Sequence, residues 1–274
     1  MEQYPRLFLT VEVLSVFIFV IGILANLSFW LKGGLTRTRA GSFGERLSFL
    51  VGALYKVIFD KGFLRLFSRD ILLEKTLLRA DPTRWPMHFP LALGFCVLFF
   101  IGSLGNQFTE WGLLDIGKDE PWFAFVNDAA GILLLAGLLL ALQRRYVLKL
   151  PYLKTFLDDK ILVLLLLVSL ASGYAVEGLR LLSGDLESRA SFVGASLATV
   201  FSPLNLDWTS SHLYTWWFHA LVSLTFFSYI PFSRAFHLFA TPLTLMLNSL
   251  DHKQSFISID PDGNTPNFTL KQLI

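Results

Sequence analysis

Long apolar runs separated by short polar stretches dominate this chain. Five are long enough to cross a bilayer, near Leu7–Trp30, Phe89–Phe108, Phe123–Leu142, Ile161–Leu179 and Leu213–Phe232. A helix needs about 20 apolar residues to span the hydrocarbon core. Lipid offers the backbone amides no partner, so each run is expected to be an α-helix. The predicted fold class is therefore all-α, an integral membrane bundle of five transmembrane helices. The first run is long and lacks the small-residue cleavage pattern of a signal peptide, so it is expected to be a retained span.

The polar stretches orient the bundle. The segment Lys32–Trp85 carries eleven Lys and Arg residues, among them Lys56, Lys61, Arg65, Arg79 and Arg84. The loop after the third run holds Arg144, Arg145, Lys149 and Lys154, whereas the loop after the second is acidic, with Glu110, Asp115, Asp119 and Glu120. Positive loops stay in the cytoplasm, which predicts an N-out, C-in topology in the cell inner membrane. Residues 1–250 read as the membrane domain, with a cytoplasmic amphipathic insertion at about 32–87. Within it, Leu47–Phe67 mixes apolar and basic positions, as in a helix lying on the membrane surface. A short soluble helical hairpin fits the same pattern. Residues 251–274 are polar, with Pro261, Gly263 and Pro266, and read as a cytoplasmic linker tail.

Composition agrees. Hydrophobic residues make up 54% and charged residues 16%, where a soluble domain carries roughly a quarter charged. Mean hydropathy is +0.56. A net charge of +2 gives no basic field for nucleic acid. The single cysteine, Cys96, cannot by itself form an intramolecular disulfide, an iron–sulfur cluster or a cysteine-rich zinc site.

Four of the five histidines, His88, His212, His219 and His237, fall in or at the ends of the second and fifth runs. Polar residues are costly in a bilayer and usually face the bundle interior. His219 and His237 are eighteen residues apart, which on a straight helix is five full turns and about 27 Å of rise. Pro231 lies between them and is expected to bend the helix. His88 opens the second run at the depth where His237 closes the fifth. Two such imidazoles on facing helices can supply both axial nitrogens of a heme iron. Gly94, Gly102 and Gly105 would let a flat ring approach the backbone, and Arg234 or Arg84 could pair with a propionate. Blander readings remain open: interfacial histidines, glycines that only pack helices, and Arg234 as a positive-inside anchor.

The stretch Phe218–Val222, the segment Tyr229-Ile230-Pro231-Phe232-Ser233-Arg234-Ala235-Phe236-His237 and Pro242 resemble the last span of the respiratory nitrate reductase gamma subunit superfamily. That superfamily includes the membrane cytochrome subunits of heterodisulfide reductase and of dissimilatory sulfite-reduction complexes. The segment Ser172–Arg180 and the His88 run fit the same group. The resemblance implies an inner heme b held by His88 and His237, and an outer heme with His219 as one ligand. The outer partner would lie ten residues after His88, where this chain has Leu98. Neither His212, on the same helix as His219, nor Cys96, at a different depth, completes that pair. His219 therefore either binds a second heme with another partner or belongs to a quinol site.

The resemblance further implies exchange of electrons with quinone or menaquinone. Glu177, at the outer end of the fourth run, is a candidate proton acceptor beside His219; pairing with Arg180 is the alternative. Phe268–Ile274 resembles the linker that leads into a cysteine-rich iron–sulfur domain in fused relatives. The expected partner is a cytoplasmic iron–sulfur protein of heterodisulfide-reductase type, separate or fused. The chain reads as an electron-transfer subunit that is not catalytic alone. The competing class is a heme-free membrane anchor or transporter subunit, although a transporter would more often show an inverted repeat.

Overall fold

A computed structural model describes residues 3–31, 42–116, 120–149, 156–184 and 190–249. The proposed tail at 251–274, with His252, lies outside the described residues. The helices in chain order are α1 (Gln3–Trp30), α2 (Phe43–Ile58), α3 (Phe63–Leu66), α4 (Lys75–Ala80), α5 (Trp85–Val97) and α6 (Asn106–Glu110). They are followed by α7 (Pro121–Leu142), α8 (Leu157–Leu182), α9 (Phe192–Phe201), α10 (Trp208–Tyr229) and α11 (His237–Ser249). Helix α5 widens to π geometry over Leu98–Gly105 before continuing as α6.

Among the described residues, four helices are long and apolar enough to cross a membrane: Arg6–Trp30, Trp85–Thr109, Pro121–Val147 and Leu157–Leu182. They coincide with the first four apolar runs. The fifth run does form a helix, α10, but His212, His219 and several Ser and Thr residues make it too polar to qualify by composition. Large apolar side chains such as Val13, Phe17 and Leu24 are exposed, as lipid-facing surface requires.

The chain divides into two compact units. One comprises Met1–Val11 with Leu77–Phe227, the other Glu12–Thr76 with Ser228–Ile274. In the first, α5 and α7 touch backbone to backbone. A Cβ at Gly94 would lie 2.5 Å from the Ala130 carbonyl oxygen and 2.6 Å from Leu134 N; one at Gly137 would lie 2.6 Å from Leu91 N. Small residues allow this close approach, the usual basis of helix association in lipid. Gly102 backs onto Asn127 and Gly105 onto Ile116. The glycines expected to cradle a flat ring are thus used for packing, most of it against α7.

In the second unit, Leu50 and Ala53 of α2 form a small core with Leu31 and Leu247, flanked by Leu27, Trp30, Leu54 and Leu243. A capping box starts α2: Glu45 N donates to Ser42 Oγ (3.3 Å), and Ser42 N donates to Glu45 Oε2 (2.8 Å). Arg46 Nη1 donates to the Leu31 carbonyl. The straight-helix geometry for His219 and His237 does not hold. Helix α10 ends at Tyr229, two short 3₁₀ turns cover Ile230–Phe232 and Arg234–Phe236, and His237 opens a new helix. Pro231 lacks the N–H needed to continue an α-helix, and Ser233 is extended, its Oγ accepting from Ala235 N (3.2 Å).

Two substitutions separate the packing role of glycine from its intrinsic cost. Gly94→Ala, which drives a methyl into the α7 backbone, should destabilise by about 1–3 kcal/mol. Gly52→Ala in α2, where nothing lies within 4 Å, should be neutral or stabilise by up to about 1 kcal/mol. Thermal unfolding in detergent micelles reads both; equal effects would contradict the close α5–α7 contact.

Candidate functional site

The break between α10 and α11 is received by α1. Asn26 Nδ2 donates to the Pro231 carbonyl (2.8 Å) and to the Gly22 carbonyl (3.0 Å). A Cβ at Gly22 would lie 2.5 Å from Pro231 Cβ, so α1 is notched where the proline inserts. The Ser15 and Ser228 hydroxyls lie 2.8 Å apart. On the far side of the break, His237 Nδ1 is 2.7 Å from the Arg234 carbonyl oxygen. A carbonyl only accepts, so Nδ1 carries the proton and Nε2 is the unprotonated nitrogen of the neutral ring. A metal-binding histidine is commonly prepared this way, its second nitrogen fixed by a backbone carbonyl. The donor chemistry at His237 therefore fits a heme ligand. Arg234 is exposed.

His219 meets α8. Ser172 Oγ donates to the Ser169 carbonyl (3.0 Å) and lies 3.0 Å from His219 Nδ1. The hydroxyl has one proton, already committed, so it accepts from Nδ1 and leaves Nε2 unprotonated. The ring lies close against Gly173, where a Cβ would be 3.1 Å from His219 Cε1. Ser169 and Ser223 hydroxyls close the seam at 2.6 Å. One turn beyond Gly173, on the same face of α8, stands Glu177. It holds Arg180 through two contacts of 2.8 and 2.9 Å, the pairing foreseen as its alternative role.

On the Tyr229 side of His219, rings of α10 meet rings of α5 and of its π-helical continuation. Phe95 meets Phe226 edge-on (5.9 Å), Phe99 stacks on Phe227 (5.8 Å), and Phe95 stacks on Phe99 (5.7 Å). Leu98 supplies no ligand atom at the position expected for a partner of His219.

His88 stands in the first turn of α5, its amide bonded to the Arg84 carbonyl (3.0 Å). Asp81 sets that turn: its Oδ1 accepts from Thr83 Oγ1 (2.6 Å), Thr83 N (3.1 Å) and Arg84 N (3.2 Å). The Thr83 hydroxyl foremost holds the Asp81 carboxyl below its ordinary range. Arg84 is exposed, 3.8 Å from Asp81. Arg144, from the end of α7, donates to the Thr83 carbonyl. His88 and His237 belong to different units, and each is positioned by its own neighbours.

Sequence alone did not single out Asn127 and Asp128 inside the third apolar run. Asp128 is 3% exposed. Its Oδ2 accepts from Val193 N (2.7 Å) and from the Ser191 hydroxyl (3.3 Å). The carboxylate thus caps the first turn of α9 from a neighbouring helix. Tyr174 OH donates to the Asp128 carbonyl (2.9 Å), tying α8 to α7. Asn127 Oδ1, facing Gly102, is buried without a hydrogen-bond partner among the described residues. The available signal was an ionisable residue in a membrane span, which rarely lacks a purpose.

Asp128→Ala strands the α9 amide and should lower stability by about 1–3 kcal/mol, with Asp128→Asn intermediate. Thermal melting of the purified variants tests this, and an unchanged Asp128→Ala midpoint would rule out the capping role.

Residues 48–252 match the family described as the nitrate reductase gamma subunit. The chain is 26% identical over 251 residues to a dihydromethanophenazine:CoB–CoM heterodisulfide reductase subunit of Methanosarcina acetivorans, covering 86% of this chain and 88% of that one. The corresponding Methanosarcina mazei protein is 26% identical over 254 residues, covering 86% and 90%. EtfAB:quinone oxidoreductase of Syntrophomonas wolfei is 27% identical over 290 residues, covering 98% of this chain but 36% of that longer protein. No solved structure matches. With its long apolar helices and this match over most of its length, the chain is a multi-pass membrane protein belonging to the nitrate reductase gamma subunit family.

Proposed function

We propose that this chain is a membrane cytochrome b subunit that passes electrons between the quinone or menaquinone pool and a cytoplasmic iron–sulfur partner. The relatives named as heterodisulfide reductase subunits and as a quinone oxidoreductase support a membrane electron-transfer role. The observation that carries the cytochrome reading is His237. Its Nδ1 is committed to the Arg234 carbonyl, which makes Nε2 the unprotonated nitrogen, and it stands in the Pro231–His237 segment that resembles the family's last span.

In this reading α10 is the fifth span. Its 22 residues rise about 33 Å, enough for a hydrocarbon core of about 30 Å. The basic loops place the ends of α5 and α7 that bear Arg84 and Arg144 in the cytoplasm, giving N-out and C-in. His88 and His237 would hold the heme, with Arg84 and Arg234 as candidates to meet its propionates. Bound heme supplies one-electron carriage. The partner, separate or fused, meets the basic Lys32–Trp85 region, in which Arg79 is exposed on the unit that carries His88.

His219 serves the quinol site. Its unprotonated Nε2 can accept the proton that a quinol hydroxyl loses on oxidation, while Ser172 and Gly173 hold the ring in place. Glu177, one turn along α8, is the next acceptor, its charge balanced by Arg180. This polar seam favours a quinone-linked role over a passive anchor.

Purified protein should show a sharp reduced Soret and α band that His88→Ala or His237→Ala abolishes. A folded preparation without heme absorbance would sink the proposal. Pyridine hemochrome should give one heme per chain; two would move His219 from the quinol site to a second heme. Glu177→Gln should slow heme reduction by quinol analogues by ~100-fold, the lower end of the range for a general base. An unchanged rate removes Glu177 from the site.

A further inference from the structure

Helix α2 carries two adjoining apolar arcs, only one of which the protein covers. At about 100° per residue, Leu50, Ala53 and Val57 share an arc that is buried in the second unit. Phe43, Leu47, Val51, Tyr55 and Ile58 fall on the next arc and are exposed, Val51 at 58% and Tyr55 at 62%. Glu45, Gly52 and Lys56 occupy the side beyond it, with the exposed Phe49 at its far margin. A helix that only capped a soluble hairpin would place polar residues where Val51 and Tyr55 stand.

What covers the second arc follows from where α2 is fastened. Its buried arc packs on Leu27, Trp30 and Leu31, and Trp30 is the last residue of the first apolar helix. The end of a spanning helix marks the level at which hydrocarbon gives way to headgroups. The rotation of α2 is locked there by the Ser42–Glu45 capping box and by Arg46 on the Leu31 carbonyl. Just past the helix, Lys61 and Arg65 join Lys56 as exposed cations. An apolar arc at headgroup level with cations alongside is the chemistry of an interfacial helix, which sinks its apolar face about 5–10 Å into the boundary.

We propose that α2 is a membrane-surface helix whose Phe43, Leu47, Val51, Tyr55 and Ile58 arc is immersed in an anionic lipid surface. It thereby fixes the basic segment that follows against the headgroups. This assignment does not depend on heme or quinone binding.

Spin labels at Val51→Cys and Gly52→Cys, each in a Cys96→Ala background, test it in nanodiscs containing phosphatidylglycerol. The label at position 51 should be several-fold more accessible to oxygen than to a water-soluble nickel chelate, and the label at 52 the reverse. Chelate access at both positions would overturn immersion and leave the arc facing water, open to a soluble partner. The unaltered chain gives a second reading that needs no folding of variants. A lipid-dissolved diazirine should mark Phe43, Val51 and Tyr55 along with α1, and marking of α1 without α2 would overturn the proposal. Equal immersion in purely phosphatidylcholine bilayers would overturn its anionic component.

Discussion

A backbone amide or carbonyl released inside an apolar bundle finds no water, so every interruption of a helix must be met by a polar group from elsewhere in the protein. The architecture is organised around such meetings. Asn26 reaches from α1 to the carbonyl that Pro231 leaves at the end of α10. Asp128 reaches from α7 to the first turn of α9. These contacts explain why polar residues costly to bury lie within otherwise apolar helices, and why they sit opposite a turn or a helix start.

The same economy shapes the histidines. An imidazole has two nitrogens, and fixing one determines the other. At His237 the fixing group is the Arg234 carbonyl, which also accepts from the His237 amide at the end of the 3₁₀ turn before α11. At His219 it is Ser172, whose own proton is committed to the Ser169 carbonyl. The two rings thus share the same tautomer, with Nε2 unprotonated, in different settings. One stands at a helix break, the other against a neighbouring helix, one turn from an ion-paired carboxylate. The heme and quinol roles proposed for them follow from that difference of setting.

Close backbone approach is the other shared device. Gly94 and Gly137 bring α5 and α7 into contact, Gly173 admits His219, and Gly22 admits Pro231. Spacing alone makes Gly94 and Gly102 a reasonable cofactor cradle, because a glycine flat enough for a ring is equally flat for a helix. Only the neighbour distinguishes the two, and here the neighbour is α7.

Hydrophobic run length, loop charge and the Pro231–His237 segment determined the all-α membrane class and the family, since each depends on local composition that lipid enforces directly. The place of His88 at a helix start was also legible, whereas His237, expected to close the fifth run, instead opens a separate helix, α11. Tertiary structure alone decided that His219 faces α8 instead of Leu98, that Asp128 caps α9, and that α2 leaves a second apolar arc uncovered. Each depends on which helix face meets which neighbour. In lipid, apolar periodicity is weak evidence of that, because a helix can be apolar all round while a few hydrogen bonds and glycines set its rotation.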